Sequence, residues 1–66
     1  MRTLGDAYPE EQARCRELLV AYRKIGPPGL FAATMLEELL GRADRAAIDG
    51  DIVKMIQLFH EMRDFK

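Results

Sequence analysis

The sequence predicts an all-α domain of three helices, a three-helix bundle in which helices 2 and 3 form an antiparallel αα-hairpin with helix 1 packed across it. Three observations carry this expectation. Apolar residues recur at helical spacing in three segments. Two breaks rich in Gly, Pro and Asp separate those segments. β-branched residues are few and never alternate, so nothing reads as a strand.

Each element has its own justification. Residues 1–8 carry no period and are expected to form a loosely held arm. Pro9 suits a first helical position, where a missing N–H costs nothing, and places helix 1 at 9–25. Arg23 and Lys24 near its end complement the helix dipole. Gly26-Pro27-Pro28-Gly29 then stops it, because Gly accepts a left-handed C-terminal position and the prolines cannot continue a helix. Helix 2 is expected over 28–49, running through Gly41 at a cost of about 1 kcal/mol relative to Ala. Gly50 ends it and Asp51 caps helix 3, expected over 52–64. A connection this short folds helices 2 and 3 into a hairpin.

The arithmetic of the chain bounds what it can do. Its 66 residues make one domain with a single cysteine, Cys15, so an intramolecular disulfide and a multi-thiolate zinc site are both excluded. A core of this size supplies about 3–5 kcal/mol of net stability. Ten Lys+Arg against eleven Asp+Glu is far from the basic balance of a nucleic-acid binder. No apolar run resembles a signal peptide or a membrane span, and a lone thiol without an export signal reads as cytoplasmic. The hydrophobic share of 48% is generous for so short a chain, and the question is where the surplus lies.

At 100° per residue, Cys15, Leu18, Leu19, Tyr22 and Ile25 occupy an arc of about 120° on helix 1. Ala32, Ala33, Met35, Leu36, Leu39, Leu40, Ala43, Ala46 and Ala47 occupy about 160° on helix 2. On helix 3, Ile52, Val53, Met55, Ile56, Leu58, Phe59, Met62 and Phe65 spread over about 240°. One neighbour cannot cover so wide an arc: helix 3 must lie between helices 1 and 2, or face a second chain, or both, and a protein partner or a second copy is expected on part of it. The residues singled out for that contact are Met55, Leu58, Phe59, Met62 and Phe65.

No constellation for catalysis emerges. His60, the one histidine, has Ile56 and Gln57 one turn earlier instead of a carboxylate or second ligand, and reads as a residue on the edge of the apolar face. Cys15 sits within the helix 1 stripe, where a thiol behaves as a small hydrophobe. Glu37 and Glu38 diverge by 100° and cannot address one substrate, whereas Glu10–Arg14 and Glu38–Arg42 are spaced for surface ion pairs. The prolines of the 26–29 turn remove the N–H groups a phosphate loop needs. No catalytic, cofactor-binding or metal-ligating residue is therefore expected.

The runs Tyr8-Pro9-Glu10-Glu11-Gln12-Ala13-Arg14-Cys15-Arg16-Glu17-Leu18-Leu19 and Gly26-Pro27-Pro28-Gly29-Leu30-Phe31-Ala32-Ala33-Thr34-Met35 resemble small helical proteins of proteobacterial phages and prophages. That resemblance implies an accessory protein acting by binding a host or phage protein, as small inhibitors of CRISPR and other defence complexes do. Ala43-Asp44-Arg45-Ala46-Ala47 through Gly50-Asp51 to Phe59 is similar to a tetratricopeptide-like hairpin, a likeness of packing alone. The expected function is a non-enzymatic protein–protein interaction module. The alternative is a small DNA-binding regulator using the helix 1 cations Arg14, Arg16, Arg23 and Lys24.

Overall fold

Helix α1 begins well before Pro9. In the computed structural model, which describes residues 2–66, α1 spans Leu4–Ile25, α2 Pro27–Asp49 and α3 Ile52–Asp64. The expected arm is therefore mostly helix, and only Met1 lies outside the described residues. Thr3 is the N-cap: its hydroxyl accepts from the Asp6 N–H, while the Asp6 carboxylate reaches back to the Thr3 N–H. This reciprocal arrangement satisfies two amide donors that an uncapped end would leave to water.

Pro9 thus sits inside a helix and removes the bond its N–H would have made to the Gly5 carbonyl. Tyr8 offsets that loss. Tyr8 is 2% exposed and its hydroxyl donates to the Ala43 carbonyl at 2.7 Å, fastening the first turns of α1 to the C-terminal half of α2. The apolar stripe of α1 extends back accordingly, with Leu4, Tyr8, Cys15 and Leu19 on one side.

Both turns place a glycine of positive φ at a helix end, but only Gly50 takes the left-handed cap conformation expected of Gly26 as well. Gly26 (φ 89°) ends α1 and at once precedes α2, whose first two residues are Pro27 and Pro28. Gly50 (φ 67°) closes α2 in the left-handed conformation, and its N–H finds the Ala46 and Ala47 carbonyls. The Asp51 carboxylate then accepts from the Lys54 N–H at 3.2 Å and starts α3. Each helix packs against the other two, giving the expected three-helix bundle.

The shared core is formed by Tyr8, Cys15 and Leu19 of α1, Leu58 and Met62 of α3, and Ala33, Leu36, Leu39, Leu40, Ala43 and Ala46 of α2. Small residues let α1 come close to α2. Gly29 is the extreme case, because a Cβ there would lie 2.2 Å from the Tyr22 carbonyl oxygen. Polar contacts frame the core on its flanks. Asp44 of α2 pairs with Arg16 and accepts from Gln12 at 2.8 Å, and Glu37 pairs with Arg23. On the other flank Arg14, held by Glu11, donates to the Met62 carbonyl at 2.7 Å near the end of α3. That carbonyl lies in the last turn, where it also accepts from the Phe65 N–H of the C-cap at 3.2 Å.

Candidate interaction surface

The 240° apolar arc of α3 divides in two. Leu58 (3% exposed) and Met62 (fully buried) belong to the core, and Met55, Phe59 and Phe65 are half-buried against it. The face expected to meet a partner is thus mainly the inner face, covered by α1 and α2. Leu58 and Met62 are closed to an outside contact as the fold stands. The physical reason is geometric: α3 lies in the groove between the other two helices, so its inward arc is wider than that of a helix with one neighbour.

What remains outside is the other end of the arc. Ile52, Val53 and Ile56 are 56%, 67% and 44% exposed, and they lie side by side on the outer surface of α3. Exposed His60 follows one turn after Ile56, at the margin of this strip, with its ring edge-on to Phe59. The neighbouring Arg63 guanidinium lies 5.7 Å from the Phe59 ring centroid. A second apolar region occupies the start of α2, where Phe31 is 76% exposed and Met35 half exposed. Met35 lines a shallow groove with Leu39 and Phe65, rimmed by Glu38, Arg42, Glu61 and Asp64. The period gave the width of the α3 arc but not which edge of it faces out, because that depends on the side of the hairpin α1 occupies.

A third feature is the cleft between the outer flanks of α2 and α3. Gly41 and Leu58 supply its apolar lining, and Glu38, Arg42, Arg45, Lys54, Gln57 and Glu61 surround them. Arg42 bridges Glu38 at 2.9 Å and approaches Glu61 at 3.9 Å, knitting the hairpin at one end.

Three of the four cations singled out on α1 are held by carboxylates, and Lys24 is in no ion pair among the described residues. Arg14 holds Glu11 at 2.6 Å, Arg16 holds Asp44, Arg23 holds Glu37, and Arg2 holds Glu10. The expected Glu10–Arg14 pair gives way because α1 starts earlier, bringing Arg2 within reach of Glu10 and leaving Arg14 to Glu11. Cys15 is fully buried beneath this surface. Burial pushes its thiol above the usual range, and the Arg14 charge only partly opposes that. A thiol held neutral and covered is a core group, not a nucleophile. Among the described residues no cluster of His, Cys, Asp and Glu could hold a metal ion, and no helix is long and apolar enough to cross a membrane. No protein-family model, no curated protein and no solved structure matches this chain.

Proposed function

We propose that the chain is a non-enzymatic protein–protein interaction module, acting as a cytoplasmic accessory protein or inhibitor of a host complex, such as a CRISPR-type defence assembly. The observation that carries this reading is the uncovered strip Ile52, Val53 and Ile56 on the outer face of α3. Three adjacent aliphatic side chains in water are unfavourable for a small domain with little stability to spare, and a protein surface laid over them removes that cost. The resemblance to small phage and prophage proteins supports the same assignment. The alternative, a DNA-binding regulator, loses support from the ion pairs of Arg14, Arg16 and Arg23, since phosphates would have to displace carboxylates from all three.

The test compares the wild type with the double variant Val53→Asp/Ile56→Asp. Both positions are exposed, so the variant is expected to keep its helical circular dichroism and its melting temperature. It should lose the association that the wild type shows, read as concentration-dependent mass in sedimentation or as stoichiometric retention of a purified host complex. Association through this strip should persist in 0.5 M salt, where phosphate contacts weaken steeply. A wild type that stays monomeric at every concentration and retains no protein would overturn the reading.

A further inference from the structure

The order of charges along the α1–α3 side of the bundle selects an occupant for the exposed strip of α3. These two helices run parallel: Arg14 reaches the Met62 carbonyl and, further along both, the Tyr22 hydroxyl donates to the Lys66 carbonyl. Each starts on an acid and ends on a base. Asp6 stands in the first turn of α1 and Arg23 and Lys24 in its last, while Asp51 caps α3 and Arg63 stands in its last turn. α2 runs the other way and has neither an acid in its first turn nor a base in its last. The α1–α3 side is therefore acidic at one end and basic at the other. Of the opposite charges near those ends, Arg2 pairs with Glu10, and Lys54, Glu61 and Asp64 lie on the α2 side of α3. Ile52, Ile56 and Arg63, with half-buried Phe59 between the last two, follow one another at helical spacing. The strip thus leads from the acidic end to the basic one.

We propose that the strip is covered by a second copy of this chain, packed α3 against α3 in antiparallel alignment about a two-fold axis beside Ile56. A parallel copy would set acid on acid and base on base. An antiparallel copy sets each acidic end on a basic end, twice over, which is the self-complementarity a two-fold interface requires. With the axis at Ile56, Ile52 of one copy falls beside His60 of the other, and Arg63 falls within one turn of Asp51 of the other. A seam built on three aliphatic side chains buries less than about 1,200 Å² over both copies, the range of transient pairs. The dimer is accordingly expected to dissociate at about 10–100 μM. The inference rests on the interaction-module reading above and names the occupant of its surface.

Sedimentation equilibrium of the full chain over a wide concentration range reads the dimer, and single cysteines read its register. Ile56→Cys should give a disulfide-linked dimer in mild oxidant, because its two thiols meet at the axis. Ile52→Cys should not, since its two copies lie roughly 12 Å apart along the seam, beyond disulfide reach. Val20→Cys, exposed on α1, measures random collision, and native Cys15 is buried and takes no part. Arg63 is exposed, so Arg63→Glu should keep the fold, checked by its melting temperature. It should weaken the dimer at low salt by at least about fivefold, because it replaces two attractions with two repulsions. The proposal is overturned if the chain is monomeric throughout, if Ile52→Cys or Val20→Cys links as fast as Ile56→Cys, or if Arg63→Glu associates as the wild type does. A monomer that still retains a purified host complex would overturn the second copy alone and leave the interaction-module reading intact. A monomer that retains nothing would overturn both.

Discussion

The same substitution, Gly→Ala, should have opposite effects at two positions of α2. At Gly29 the new methyl would meet the Tyr22 carbonyl oxygen at 2.2 Å and its carbon at 3.0 Å, with the Ile25 Cβ at 3.1 Å. These are largely backbone atoms, so the contact cannot be relieved by a side-chain rotation. α1 must move away from α2 by about 1 Å, and overpacking of this kind costs roughly 1–3 kcal/mol. At Gly41 the methyl enters open space, and the helix gains about 0.5–1 kcal/mol from the residue itself. A domain of this size shifts its melting temperature by about 4–8 °C per kcal/mol. Gly41→Ala should therefore melt about 2–8 °C higher than the wild type, and Gly29→Ala at least about 4 °C lower. Thermal circular dichroism at 222 nm measures both. If Gly29→Ala melts at or above the wild type, α1 and α2 do not approach as described. If Gly41→Ala melts lower, the space beside Gly41 is not open as described.

Other outcomes follow from the core and its margins. Tyr8→Phe keeps the ring but removes the bond to Ala43, so it should cost about 1 kcal/mol and speed amide exchange selectively in the first turns of α1. Stability should fall on the alkaline side. Burial raises both the Cys15 thiol and the Tyr8 hydroxyl, so the Cys15 contribution is complete below the unfolded thiol range and is lost as pH rises from there through its raised folded value, and that of Tyr8 follows above the unfolded tyrosine range. Melting temperatures from neutral pH upward check this, and Cys15→Ala should flatten the earlier part of the decline. Cys15 should react with a thiol reagent only as fast as the bundle opens, so its rate should rise with added urea; a rate equal to that of a free thiol in native buffer would contradict its burial. Arg14→Met should lower the melting temperature by a few degrees, because the Met62 carbonyl loses its cross-helix donor.

Much of this architecture was legible in the residues, and the exceptions have physical causes. The hairpin could be read closely because Gly50 and Asp51 are strong end signals with a local mechanism. The start of α1 was missed because Pro9 is also a strong start signal, and it masked the weaker one upstream. Thr3 followed by Asp6 has the spacing of a reciprocal cap, and Leu4 and Tyr8 continue the stripe of Cys15 and Leu19. What settles the competition is tertiary: the Tyr8 hydroxyl reaches Ala43, far away in sequence. Gly29 read as part of a helix stop, whereas its structural duty is the close approach to Tyr22, which no local pattern announces. On α3 the width of the apolar arc was readable, but its inner and outer portions were not. Leu58 and Met62 differ from Ile52, Val53 and Ile56 only in which neighbour the bundle places against them.

The ion pairs along the α1–α2 flank bear on how the two helices choose their alignment. Leu and Ala stripes repeat every turn, so apolar packing alone would tolerate a shift of one helix past the other by a turn. The pairs Arg16–Asp44 and Arg23–Glu37 do not tolerate it. A slip of one turn in one direction sets Arg16 beside Ile48 and Arg23 beside Gly41. A slip in the other direction sets them beside Leu40 and Ala33. Each exposed pair contributes only about 0–1 kcal/mol to stability. In a shifted alignment, however, both arginines and both carboxylates lose their partners at once, and one direction drives the guanidinium groups towards the apolar seam. The charges act as a ruler laid along a track that is otherwise the same at every turn.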